Sequence, residues 1–185
     1  GFDACLMATA ETALMLTEHA DFLIASEETE PGVGWYYTDW LTALEKNPSM
    51  PTIELGQQIV DSFVETCAQK CRGQLTTLSV IDLAELEATL PQALADFSRS
   101  TSRMIEAKEY QTVSNARNGA REFAQSSKID QVDLVHLAKN LGTKEGTALA
   151  EALLGAVKYN RTSSNVTNAY GISICFPYRK SSSVN

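Results

Sequence analysis

Short apolar segments alternate with longer amphipathic ones along this chain, and this alternation restricts its fold more than any other feature. Strands are predicted at residues 21–26, 75–81 and 170–176, where apolar residues cluster. Helices are predicted at residues 6–18, 38–46, 52–71 and 83–97, and two more between 132 and 158. Residues 106–128 have weak periodicity and stay unassigned. Strands that alternate with helices indicate a layered α/β domain with a mainly parallel sheet.

The composition is that of one ordinary globular domain, with 44% hydrophobic and 21% charged residues in a length of 185. The formal net charge of -8 argues against a nucleic-acid partner, because such binding depends on clustered Lys and Arg. The longest apolar runs fall far short of the roughly 20 residues that a membrane helix needs. We therefore expect no nucleic-acid binding and no membrane span.

Cys5 lies directly ahead of the predicted helix 6–18, where a parallel sheet would require an incoming strand. A cysteine at such a junction lies at the sheet edge where ligands bind, and a helix N-terminus favours its thiolate. Cys5 is therefore predicted as a nucleophile, with a buried core cysteine as the alternative. Because the strand is missing, we expect an upstream segment to complete the sheet and this chain alone to be inactive and poorly soluble.

Cys67 and Cys71 are four residues apart on the predicted helix 52–71, which places both on one face. Two helical thiols without a nearby histidine or second cysteine pair make a poor zinc site. Four cysteines in all are also too few and too unevenly placed for the disulfide framework of a small secreted module. Core packing is predicted for the pair, and no metal site is predicted.

Three segments carry a resemblance to a known family. Residues 2–7 (FDACLM) resemble the Asp-x-Cys nucleophile motif of clostripain-family cysteine peptidases. Residues 20–35 resemble the strand and substrate-binding loop of that family, and residues 170–178 (YGISICFPY) its late strand. The resemblance implies a caspase-like three-layer sandwich with a mainly parallel central sheet. It also implies that residues 1–185 are the C-terminal, nucleophile-bearing part of one peptidase domain whose upstream strands are absent.

The same resemblance implies a cysteine endopeptidase in which the Cys5 thiolate attacks the scissile carbonyl and a histidine of a His-Gly motif handles the protons. This sequence contains no His-Gly pair. His19 lies at the far end of the predicted helix that starts beside Cys5, about 20 Å away at the rise of an α-helix. His136 lies in mid-helix among apolar residues, which favours a structural role. The catalytic histidine is therefore expected in the missing upstream segment.

Asp3 is implied to line the S1 pocket and to pair with the Arg or Lys side chain of a substrate cleaved after a basic residue. A structural role as a helix cap is the alternative. Relatives often place a second acid after the Gly-Trp pair, where this chain has Tyr36. The acids that remain as replacements are Glu27, Glu28, Glu30 and Asp39.

Gly34, Trp35 and Tyr36 are predicted to offer backbone and aromatic walls to an extended substrate. Trp35 and Trp40 are equally compatible with positions in the core.

The remaining implications of the resemblance concern setting and partners. No cofactor is required, and calcium dependence is allowed by the resemblance although no Asp-rich loop predicts a calcium site. The expected partners are a peptide or protein substrate and the His-bearing upstream segment of the same precursor, released by autoprocessing. The expected location is secreted or extracytoplasmic in a bacterium. The alternatives are a non-catalytic caspase-like binding or scaffold module, and a small amidase or thioesterase using the same cysteine.

Overall fold

A computed structural model describes residues 1–177, so Tyr178 of the late-strand motif lies outside the described residues. The α-helices are α1 (Ala10–Leu16), α2 (Tyr37–Lys46), α3 (Thr52–Lys70), α4 (Leu83–Glu106), α5 (Tyr110–Gly119), α6 (Leu134–Leu141) and α7 (Lys144–Ala156). The strands are β1 (Phe22–Ala25), β2 (Thr77–Asp82), β3 (Glu122–Phe123), β4 (Gln131–Asp133), β5 (Val157–Thr162) and β6 (Ser173–Cys175). A short 3-10 helix, Gln125–Ser127, follows β3. The predicted α/β class is confirmed.

The strands form two small sheets, with the orders β1-β2-β5 and β3-β4-β6, and every strand pair in them is antiparallel. The prediction of a mainly parallel sheet is therefore wrong for residues 1–177. A single helix between two neighbouring strands is typical of a parallel pair. Here two helices and a long loop join β1 to β2, and this longer connection allows the second strand to run antiparallel to the first. The caspase-like three-layer sandwich with upstream strands stays a prediction.

The side chains of β1 alternate between two hydrophobic clusters on opposite faces of the first sheet. Leu23 and Ala25 pack into the larger cluster, which is formed mainly by α1, α4, α6 and α7. Ile24 packs against the smaller cluster, which includes Phe63 of α3. A two-residue period with both faces covered is what a short buried strand between helices requires.

The helix predictions differ from the structure mainly at element ends. The helix predicted at residues 52–71 is confirmed as α3, and Cys67 and Cys71 are both buried, as predicted. Asp82 caps α4 by accepting the Glu85 N–H, and α4 continues through Pro91. Four of these helices and strands were not predicted: α5 and β3 in the unassigned stretch, β4 just before α6, and β5, which begins where the predicted last helix should continue.

A buried pair of acids joins the two sheets. Glu27, just after β1, accepts the Gly171 N–H at 2.9 Å, and Asp133, at the end of β4, accepts the His136 N–H at 2.6 Å. Burial, followed by the neighbouring Asp133, raises the pKa of Glu27 well above its usual range. Burial also raises the pKa of Asp133 to about 6. Two carboxyls so close together favour a shared proton.

Glu27→Gln is expected to flatten the pH dependence of stability. Both acids bind protons more tightly in the folded than in the unfolded chain, so their contribution to stability is lost as pH rises from about 4 through the raised pKa values. The free energy of unfolding should fall over that window by about 1–3 kcal/mol, and by less in the variant. Thermal unfolding between pH 4 and 8 measures this, with the exposed Glu45→Gln as a charge-matched control. An identical decline in wild type and Glu27→Gln would contradict the shared proton.

Candidate active site

The segment that carries Cys5 runs along the free edge of β1. The Phe2 N–H donates to the Ile24 carbonyl at 2.9 Å, and the Leu6 N–H donates to the Glu28 carbonyl at 3.2 Å. Leu6 has a φ of 62°, a left-handed conformation that costs a non-glycine residue about 1 kcal/mol or more. This turn leaves the thiol of Cys5 exposed, so the alternative of a buried core cysteine is wrong.

Cys5 is not at a helix N-terminus, which corrects the predicted start of the first helix. Helix α1 begins at Ala10, after Thr9 as N-cap, whose side chain accepts the Thr12 N–H. The sequence between Cys5 and Ala10 is instead a turn followed by backbone pairing, in which the Ala8 N–H donates to the Ser26 carbonyl. Those hydrogen bonds hold residues 6–8 out of a helix. The predicted stabilisation of a Cys5 thiolate by a helix dipole therefore does not apply.

The loop after β1 returns to Cys5. The Glu30 N–H points to the Cys5 sulfur at 3.2 Å, and this contact joins residues 25 positions apart. The exposed thiol is thus held at the base of the loop that the resemblance identified with substrate binding. An N–H directed at sulfur stabilises negative charge there.

Asp3 anchors the other end of this loop. Its carboxylate accepts the Trp35 N–H at 3.1 Å and the Tyr37 hydroxyl at 3.1 Å. Gly34 has a φ of 63°, and a Cβ at this position would lie 3.0 Å from Asp3 Oδ2. The chain therefore needs glycine here, both for the backbone conformation and for the close approach of the carboxylate. Among the residues that the structure describes, Asp3 caps no helix, because its backbone partner Trp35 precedes the N-cap of α2 at Tyr36, so the predicted alternative role is wrong.

Glu30 brings a second carboxyl beside Asp3. Both of its oxygens are shielded from solvent, and Asp3 and the Trp35 indole are their polar neighbours. Burial, followed by Asp3, raises the pKa of Glu30 to about 8. Sequence reasoning named Glu30 only as one of four acids. Spacing alone does not show which acid turns inward.

The other predicted substrate-binding residues lie elsewhere. The Glu28 carboxylate is buried and accepts the Ala124 N–H at 3.0 Å, so it faces the second sheet. Asp39 is exposed in the first turn of α2, and Tyr36 is exposed with Lys70 Nζ 5.3 Å from its ring centroid. The Trp35 side chain belongs to the core cluster beside α3, while its backbone N–H donates to the Asp3 carboxylate. The structure therefore gathers four of the predicted residues around the loop after β1: Asp3, Cys5, Gly34 and Trp35. The other three, Glu28, Tyr36 and Asp39, lie outside this group.

Neither histidine contacts Cys5 within the described chain. His136 accepts the Arg121 N–H at Nδ1, 2.9 Å away, and its ring lies 6.5 Å from that of Tyr170. Burial, followed by the charge of Lys139, lowers the pKa of His136. His19 is exposed just beyond α1.

Within residues 1–177 there is no group of three or more His, Cys, Asp or Glu side chains that could hold a metal ion. None of the helices described there has the length and apolar character needed to cross a bilayer.

Comparison with solved structures shows the same fold in several peptidases. A secreted C11 cysteine protease from Bacteroides thetaiotaomicron ("iotapain") has a TM-score of 0.69 and 19% identity, over 94% of this chain and 48% of that one. A clostripain from the same species, in complex with the peptide inhibitor BTN-VLTK-AOMK, has a TM-score of 0.66 and 17% identity, over 99% and 80%. A B. fragilis cysteine protease has a TM-score of 0.64 and 17% identity, over 99% and 78%.

This chain spans about half the length of some of these structural neighbours and about four fifths of others. No curated protein matches it. The model of the clostripain family, by contrast, matches residues 1–174, almost the whole sequence. The chain therefore belongs to the clostripain family of cysteine peptidases.

Proposed function

We propose that this chain supplies the nucleophile and the specificity pocket of an endopeptidase that cleaves after Arg or Lys. The observation that carries the proposal is that the exposed Cys5 thiol and the Asp3 carboxylate both contact the loop from Glu30 to Tyr37. A thiol and an acid this close in sequence suit attack on the carbonyl that follows a basic side chain.

The chemistry follows from the atoms around Cys5. The thiolate attacks the carbonyl carbon, and the scissile C–N bond breaks after the leaving amine receives a proton, which leaves a thioester on Cys5. Water then hydrolyses the thioester and restores the thiol. The Leu6 N–H donates to the Glu28 carbonyl, whereas the Cys5 N–H makes no hydrogen bond in residues 1–177. We assign the Cys5 N–H to the oxyanion that forms in each step.

The preference for a basic residue rests on Asp3 and on the acidic net charge of -8, which attracts cationic peptides. The inhibitor bound to the B. thetaiotaomicron clostripain has a peptide part, VLTK, that ends in lysine. A carboxylate that keeps one face exposed while it holds the loop is a suitable partner for such a side chain.

The proton carrier is assigned to a histidine upstream of residue 1, because His19 and His136 do not contact Cys5 in residues 1–177. The pairing of Phe2 with Ile24 supports this assignment, since it lays the chain along β1 in the place where a preceding strand would continue. One of the similar structures is an inactive zymogen of a C11 protease from Parabacteroides distasonis, which supports processing from a precursor. Secretion is proposed from the secreted neighbour.

The test is to express the 185-residue chain with and without the natural upstream sequence and to assay both on fluorogenic peptides ending in Arg, Lys or an uncharged residue. We expect activity only with the upstream sequence, and higher kcat/KM for Arg and Lys. Activity from the isolated chain would refute the upstream histidine. Hydrolysis of thioesters but not of peptides would instead favour the thioesterase alternative.

A further inference from the structure

Thr77, the first residue of β2, lies under the point where β1 leaves the first sheet. The pairing of β1 with β2 reaches only as far as Ala25, and residues 26–30 form the exit segment that follows. In this segment the N–H groups of Glu27 and Glu28 both donate to Thr77 Oγ1 at 3.0 Å. Thr77 is only 1% exposed, so these bonds are shielded from solvent. Its side chain therefore replaces the backbone acceptors that a longer strand would use.

The hydrogen bonds run in one direction from Thr77 towards Cys5. The Ser26 hydroxyl donates its only proton to the Glu28 carbonyl at 2.8 Å. The proton in the 3.0 Å contact between the Ser26 and Thr77 hydroxyls therefore comes from Thr77, whose oxygen already accepts two N–H groups. The Glu28 carbonyl also accepts the N–H of Leu6, the residue after Cys5, at 3.2 Å. This chain of bonds connects Thr77 to the turn that carries Cys5.

The turn after Cys5 needs this support because its backbone is strained. Leu6 has a φ of 62°, and a non-glycine residue keeps such a conformation only where neighbouring groups hold it. The Glu28 carbonyl holds the Leu6 N–H, and the Gln131 side-chain amide donates to the Leu6 carbonyl at 3.4 Å. Two residues beyond Glu28, the Glu30 N–H points to the Cys5 sulfur. The exit segment of β1 thus fixes both the turn and the thiol.

We propose that Thr77 is a positioning residue of the peptidase, and that its hydroxyl fixes the Cys5 thiol for attack on the scissile carbonyl. This proposal rests on the proposed function and deepens it, because it assigns a role to a buried residue below the site. Without the hydroxyl, the N–H groups of Glu27 and Glu28 lose their acceptor, and the exit segment must shift to satisfy them. A misplacement of about 1 Å at the reacting atoms can lower the rate about 10²-fold.

The experiment compares Thr77→Val, which keeps the shape of the side chain and removes its hydroxyl, with three other variants. Thr76→Val is the matched control, because Thr76 is equally buried and its hydroxyl has no hydrogen-bond partner in residues 1–177. Thr143→Ala controls for a loss of stability, since it removes the side chain that accepts the Gly146 N–H at the start of α7. Thr77→Ser is the conservative variant, because it retains the hydroxyl.

Steady-state kinetics are measured on the active preparation that includes the upstream sequence, well below the melting temperature of each variant. We expect Thr77→Val to lower kcat about 10–10²-fold with little change in KM, because the substrate still binds while the thiol is displaced. The loss should be the same for substrates with arginine and with its uncharged isostere citrulline at P1, because the defect lies at the nucleophile. Thr77→Ser should recover most of the activity, and Thr76→Val and Thr143→Ala should behave like the wild type.

An unchanged kcat in Thr77→Val overturns the positioning role. A loss of the same size in Thr143→Ala, or a rise in KM without a fall in kcat, overturns it as well. Absence of turnover in the wild type would instead overturn the proposed function. Hydrogen exchange then still tests the link, because the Leu6 amide should exchange about tenfold faster in Thr77→Val than in Thr76→Val, and equal rates would contradict it.

Should Thr77→Val fail to fold, Ser26→Ala tests the same chain of hydrogen bonds one step nearer to Cys5. This variant removes the hydroxyl that joins Thr77 to the Glu28 carbonyl and leaves both N–H groups on Thr77. We expect the same fall in kcat, again for the arginine and citrulline substrates alike. Wild-type kinetics in Ser26→Ala would overturn the proposal.

Discussion

Replacing Cys5 with alanine is expected to abolish peptide hydrolysis, with a loss in kcat/KM of at least about 10⁴-fold. The thioester cannot form without the sulfur. Of the other three thiols, Cys67 and Cys71 are buried, and Cys175 lies at the end of β6. Steady-state assays with an Arg substrate measure the loss. Folding should be unaffected, because the thiol is exposed and its hydrogen bonds within residues 1–177 are with the Glu30 backbone.

The matched control is Cys175→Ala, which removes a second exposed thiol from the end of β6. The Cys175 backbone N–H donates to the Glu11 carboxylate, and the substitution leaves this main-chain donor in place. We expect wild-type activity in Cys175→Ala. Retained turnover in Cys5→Ala, or equal losses in the two variants, would mean that the nucleophile is elsewhere.

Asp3→Asn is expected to lower kcat/KM for Arg and Lys substrates by about 10²–10³-fold and to reduce the preference over citrulline. The amide keeps the size of the side chain and an oxygen that accepts the Trp35 N–H, but it removes the charge that we propose to pair with the substrate. The measurement is the Arg-to-citrulline ratio at fixed pH, with Glu45→Gln as the charge-matched control.

The same experiment separates two roles for Asp3. If Asp3 only anchors the loop through Trp35 and Tyr37, Asp3→Asn will slow both substrates by the same factor. If it also pairs with the P1 side chain, kcat/KM will fall strongly for the Arg substrate alone. A uniform loss would therefore contradict the S1 assignment while leaving Cys5 as the nucleophile.

The sequence by itself determined the family and part of the local structure. The Asp-x-Cys motif needs only neighbouring residues to be recognised, and the family assignment that it predicted is confirmed over residues 1–174. Helix α3 was also predictable, because the periodicity of apolar residues in a helix acts within one or two turns of chain. The role of Cys5 itself stays a prediction.

Only the tertiary structure decided how these pieces meet. The antiparallel direction of β2 and β5 depends on long connections, and the turn that removes Cys5 from α1 depends on hydrogen bonds to Ser26 and Glu28. Likewise, the sequence does not distinguish the environments of three nearby glutamates. In the structure Glu27 pairs with Asp133, Glu28 accepts the Ala124 N–H, and Glu30 faces Asp3. The physical reason is that the charge state of a carboxyl depends on burial and on neighbours that lie 25 or more residues away in sequence.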